Sequence, residues 1–350
     1  MTQLFTIADK NEWNWYVQNA MEYDFCHTWH YHHIDTSASS LLFIYEEGTD
    51  FIALPLVKRQ IPGSTFYDLT CVYGFSGPIS NKKMEDLGDT MIENFKAAFL
   101  DFVEAGKYVS VFSRMHPFYK QQILLETLGG VHENGLTVVL DLSINIEEQR
   151  KRYRQSTMDA VKHAWKKGFK VREEKGPAAV ATFIEIYNET MSRVGASDSY
   201  LFSETYINQL INTEEYHAKI LMVYDGDTVI SSTIIIFTNG IIQAHLVGTR
   251  TKYLCHSPTK FLVDEITIIG RALGMRYYNL GGGVGFKDDT IFKWKTSFTD
   301  YVLPYKSWRF IANPSVYQQL LHEKGIDENS DVDFFPLYRY NQPVSSLISI

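Results

Sequence analysis

Two runs of apolar and β-branched residues, Val229 to Phe237 and Ile241 to Gly248, are separated by Thr238-Asn239-Gly240. An Asn-Gly pair supplies the positive φ that a tight hairpin turn needs, so the pattern predicts two antiparallel strands. Leu41 to Tyr45 and Phe51 to Val57, joined by a Glu-Glu-Gly-Thr-Asp turn, predict a second hairpin. Around these pairs the apolar period lengthens. Helices are predicted near Trp13 to Met21, Glu85 to Gly106, Tyr119 to Leu128, Glu147 to Lys167, Ala178 to Met191, Ser203 to Asn212 and Pro258 to Leu273. Strands are predicted at Tyr108 to Arg114, Leu136 to Leu142, Phe169 to Glu173, Ala218 to Tyr224, Tyr277 to Leu280 and Pro304 to Ile311.

Both halves show this rhythm, without any residue-level repeat. The expectation is an α/β (α+β) protein of two successive units with mixed sheets flanked by helices. The boundaries are set at 1–145 and 146–312, with a tail over 313–350 whose aromatic patch (Phe334, Phe335, Tyr338, Tyr340) docks on the body.

Composition narrows the classes. At 350 residues, 45% hydrophobic and 21% charged, the chain is an ordinary folded protein large enough for two cores. Its net charge of -8 argues against nonspecific coating of nucleic acid, and no DNA partner is expected. Cys26, Cys71 and Cys255 are odd in number and lie outside any CxxC spacing, which fits a reducing compartment. No segment approaches the length of a transmembrane helix, so the expected location is cytoplasmic, with at most peripheral membrane contact.

The candidate chemistry concentrates late in the chain. Gly281, Gly282 and Gly283 follow a predicted strand and mark a place where backbone and ligand approach closely. Asp288, Asp289, Lys293 and Lys295 come next on a short loop-strand segment. An amine acceptor must lose a proton and a developing oxyanion needs a fixed positive charge, so Lys295 is the candidate for charge stabilisation and Asp288 or Asp289 for proton removal.

The helix predicted from Glu147 places Tyr153, Thr157, Ala160, Val161, Ala164 and Trp165 on one face. Arg150, Arg154, Lys162 and Lys166 follow another line, and residues 147–175 carry ten Lys/Arg against five Asp/Glu. This stretch reads as a solvated face or as a stripe attracting phosphates. Ser257-Pro258 predicts a capped helix start with Lys260 nearby, suited to an anion. Arg114 and His116, just past a strand, and the loop from Tyr73 through Ser76 are candidate pocket walls. His27, His30, His32 and His33 lack metal-ligand spacing, and no metal is expected.

Several of these segments together resemble the Fem-type peptidoglycan-bridge aminoacyl transferases and their tandem GNAT-fold acyltransferase relatives. They are the Tyr73-Gly74-Phe75-Ser76-Gly77-Pro78 loop, the Arg114-x-His116-Pro117 step, the basic segment ending Ala164-x-Lys166-Lys167-Gly168, the Leu280-Gly281-Gly282-Gly283 turn and Trp294-Lys295-x-x-Phe298. They occur in the family's order over about residues 25–312.

The resemblance implies two GNAT-like domains with a cleft between them and a lysine, here Lys295, near the reacting carbonyl or a substrate phosphate. It implies transfer of an acyl or aminoacyl group from acyl-CoA or aminoacyl-tRNA to an amine of an envelope precursor, either a nucleotide amino sugar or a peptidoglycan peptide, with no permanently bound cofactor. Three departures stand out: Met158 where relatives often carry arginine, no long helical-hairpin arm, and no acetyl-CoA loop signature around Arg250 to Ser257. A non-catalytic nucleotide-sugar-binding or scaffolding descendant is the alternative.

Overall fold

The computed structural model describes residues 2–34 and 39–340, the side chains of 2–5 and 199 excepted. Its strands are β1 (Thr2–Ile7), β2 (Ser39–Glu47), β3 (Asp50–Gln60), β4 (Tyr67–Thr70), β5 (Ile79–Ser80), β6 (Tyr108–Arg114) and β7 (Val131–Asp141). They continue with β8 (Lys170–Glu174), β9 (His217–Asp225), β10 (Thr228–Thr238), β11 (Ile241–Thr249), β12 (Tyr277–Gly281) and β13 (Val302–Ile311). Two compact units result, one holding the chain up to Asn134 and again from Tyr305, the other holding Gly135–Pro304. Tyr305 to Ile311 belongs to the first unit because Ser307–Ile311 pairs antiparallel with Ser110–Arg114 of β6.

In the first unit the strand order is β1-β2-β3-β4-β6-β13, with β5 beside β3. Every pairing is antiparallel except β4 with β6. Helix Asp89–Ala105 makes the crossover that a parallel pair requires. Its Phe95 and Phe99 are fully buried against Phe43 and Trp308, so the aromatic wealth of the sequence is spent in this core.

The second unit repeats the scheme in the order β7-β12-β11-β10-β9-β8, with β11 and β12 as its parallel pair and helix Pro258–Ala272 as the crossover. Phe261, Leu262 and Ile266 of that helix pack with Val138, Leu140, Ile242, Tyr278 and Phe298. Each unit therefore has a mixed sheet with flanking helices.

The β10–β11 hairpin turns at Asn239 and Gly240, both with positive φ, as its sequence requires. One helical expectation fails. Residues 147–167 form two helices, Ile146–Lys151 and Gln155–Lys167, because Arg150 forks onto the buried Asp264 while the Arg154 N–H bonds to the Ser297 carbonyl, which breaks the ladder. Arg150 is thereby removed from any basic stripe.

The tail also holds a helix, Pro314–Glu323, that no pattern predicted. Tyr338 is fully buried in the first unit, its hydroxyl bonding Asp68 and Ser110. Among the described residues, no helix is long and apolar enough to cross a membrane.

Candidate active site

The chain leaves the sheet at the end of β12 through its glycines. The register of β12 with β7 shifts between Asn279 and Gly281, and Gly281 adopts a φ of +75°, a left-handed conformation that favours glycine. A Cβ on Gly282 would lie 2.8 Å from the Leu136 carbonyl oxygen, and one on Gly283 would lie 2.2 Å from that of Lys287. All three glycines are therefore needed to turn the chain away from the sheet.

Asn279 fixes this turn from below. Its buried Oδ1 accepts hydrogen bonds from the Gly281 N–H (2.9 Å) and the Thr137 hydroxyl (2.7 Å), while its Nδ2 donates to Gln243 Oε1 (2.9 Å). The sequence reading missed this chain of buried polar groups. Its signal was an asparagine inside a strand, where that residue is disfavoured unless its amide has partners.

β11 and β12 pair only over Ile241–Gln243 and Tyr277–Asn279, yet β11 continues to Thr249. Beyond Gln243 and Asn279 the two parallel strands part. The glycine turn thus leaves the carboxyl end of its strand where β12 is no longer paired with β11.

Lys295 meets this turn from the segment that follows it. The segment carrying it is a helix, Thr290–Lys295, not the loop-strand expected. Its Nζ donates a 2.6 Å hydrogen bond to the Gly282 carbonyl oxygen, and burial pushes its ammonium down to about 8, with Asp289 pulling it partly back.

Asp289 is the N-cap of that helix, its carboxylate accepting from the Phe292 N–H (2.8 Å) and the Val284 N–H (2.9 Å). These backbone hydrogen bonds hold it below the usual carboxylate range, so it orients the lysine helix and is a poor proton acceptor. Asp288 is exposed and lies 4.0 Å from Lys293, which is itself exposed.

The basic residues divide. Arg154, at the start of helix Gln155–Lys167, is near Thr296 and close enough to Lys260 to add to the burial that lowers the lysine's ammonium. Lys162 and Lys166 lie exposed farther along the same helix, and Met158 packs against the core. Ser257 precedes the helix beginning at Pro258, but with a φ of +49° its side chain makes no capping bond, contrary to expectation. Unforeseen by any motif, His163 Nε2 and His256 Nδ1 lie 3.1 Å apart, tying helix Gln155–Lys167 to the turn before Ser257.

Tyr73, Ser76, Arg114 and His116 lie in the first unit. His116 is buried, 3.0 Å from Asp24 and stacked on Tyr119. Ser76 donates its N–H to the Arg114 carbonyl, and the Tyr73 carbonyl accepts from the Tyr31 hydroxyl. His27 and His32 are core residues that burial drives to about 4 and about 3, so both are neutral at ordinary pH. Among the described residues, no group of three or more His, Cys, Asp or Glu could hold a metal ion.

Residues 148–296 match the family described as "Acetyltransferase (GNAT) domain". The whole fold is similar to that of FemX, at a TM-score of 0.71 and 12% identity over 91% of this chain and 99% of that one. L-PGS from Bacillus licheniformis gives 0.57 and 13% identity over 89% and 95% of the two chains. The C-terminal domain of a putative lysylphosphatidylglycerol synthetase from Agrobacterium fabrum gives 0.50 and 14% over 79% and 84%. No curated protein matches. Residues 148–296 thus match a GNAT acetyltransferase domain, and the fold of the chain is similar to that of FemX.

Proposed function

We propose that this protein is a cytoplasmic acyltransferase that moves an acyl or aminoacyl group onto an amino group of a cell-envelope precursor, a nucleotide amino sugar or a peptidoglycan peptide. The observation that carries the reading is the partly buried Lys295 ammonium held on the Gly282 carbonyl where β11 and β12 part. A fixed cation in a site poor in water stabilises charge that develops on an attacked carbonyl.

In this reading Lys295 stabilises the oxyanion, and Gly281, Gly282 and Gly283 border the activated acyl group. Arg154 and Lys260 attract the donor's phosphates, with Lys162, Lys166 and Lys293 adding longer-range attraction. Asp289 is a positioning residue. Asp288, exposed and beside Lys293, remains the only one of the two carboxylates free of backbone caps and is the assigned proton acceptor. The GNAT domain fits acyl-CoA as donor. The likeness to the C-terminal domain of a protein named "Putative Lysylphosphatidylglycerol Synthetase" fits an aminoacyl group and an envelope acceptor.

The commitment of Asp289 to its cap favours one rival, a non-catalytic descendant that holds a nucleotide sugar or scaffolds other envelope proteins. Incubation with amine acceptors and either acyl-CoA or charged tRNA decides between them. A mass gain on the amine that requires Lys295 supports transfer; tight ligand binding with no product across the panel supports the rival.

A further inference from the structure

Arg114 closes β6 in the first unit, partly accessible yet crowded by protein. A guanidinium is always charged, and burying one without an anion is costly. Its Nη1 approaches the Cys71 thiol sulfur at 3.7 Å and the Val72 carbonyl at 3.5 Å, and the Phe112 ring centroid lies 5.3 Å from Cζ. The phenols of Tyr305 and Tyr73 are its other polar surroundings, and burial raises that of Tyr305, keeping it protonated.

Among the described residues, no carboxylate pairs with Arg114. Asp24, which serves this part of the unit, is engaged by His116 and by the Phe25 N–H. The unit therefore holds a partly accessible cation crowded by neutral groups.

We infer that Arg114 anchors an oxyanion, the carboxylate or phosphate of the acceptor substrate, through its two-pronged N–H fork. That the oxyanion belongs to the acceptor rests on the transfer reading above; that the site binds an oxyanion does not. The anion supplies the missing counter-charge, and the Tyr305 hydroxyl beside the guanidinium is of the right kind to complete its shell.

The test tracks the arginine Nε–H signals by NMR during titration with inorganic phosphate and with acetate, against chloride at matched ionic strength. A saturable shift, weakened in Arg114→Lys and lost in Arg114→Gln, supports the proposal, and the tighter probe identifies phosphate or carboxylate. No saturable shift with either probe overturns it, as does an equal response in Arg114→Gln. A response that appears only in Cys71→Ser, with rapid alkylation of Cys71 by iodoacetamide in the native protein, also overturns it, because a thiolate would then be the internal counter-ion. The titration needs no turnover, so its failure is distinct from failure of the Lys295-dependent transfer assay.

Discussion

The Nζ of Lys295 lies 2.6 Å from the carbonyl oxygen of Gly282, thirteen residues earlier in the chain. One hydrogen bond thus ties the glycine turn to the helix capped by Asp289, and the charge it positions is the centre of the proposed chemistry. Lys295→Ala should lower transfer by about a hundred- to a thousandfold, the usual cost of removing one oxyanion donor. Circular dichroism should be unchanged. Retained turnover would refute the role.

The same group sets a pH dependence. Transfer that needs the charged ammonium is intact below about 8 and falls as pH rises through that value. Stability runs the other way. The folded state releases this proton before the unfolded chain does, so stability rises between about 8 and the ordinary lysine value of 10.5. Activity that declines while the melting temperature holds or climbs would separate titration from unfolding.

Asp289 distinguishes a cap from a base. Asp289→Ala should cost about 1 kcal/mol, the typical loss of an N-cap. Asp289→Asn keeps one of the two acceptor oxygens, enough to cap the Phe292 N–H but not the Val284 N–H as well, and should retain most stability and much of the activity. An Asn variant that is fully stable and inactive would instead make Asp289 the proton acceptor.

Gly282→Ala places a methyl group against the Leu136 carbonyl and the Phe286 ring, 2.8 and 2.5 Å away. The expected cost is about 1–3 kcal/mol from overpacking, with loss of the lysine's acceptor geometry. Denaturant unfolding checks the first, and the transfer assay the second.

Asp264 is fully buried and accepts from Arg150 and the Tyr153 hydroxyl. Asp264→Ala leaves that guanidinium partly buried without its counter-charge, and should cost about 3–5 kcal/mol. A double-mutant cycle with Arg150→Met measures the coupling. A cost below that range would mean that solvent replaces the carboxylate.

Local chemistry was legible in the sequence because it depends on neighbours in the chain. The Asn239-Gly240 hairpin, the strand Tyr108–Arg114 and the helix from Pro258 follow from turn residues and periodicity. The glycine turn and Lys295 were visible as a motif, and the structure brings them together. What was illegible depended on distant partners. Arg150 matched its helical line by spacing, yet Asp264, 114 residues away, takes it. Asp289 stands in the sequence as a candidate acid, and only the fold shows that it caps a helix.

By itself the sequence determined which segments pair or coil, and that a bare turn would stand ahead of a lone lysine, since dihedral preference and periodicity act over a few residues. Only the tertiary structure decided which charges are spent on caps and buried pairs and which stay available. Desolvation and counter-charge are set by groups that the chain brings together from far apart.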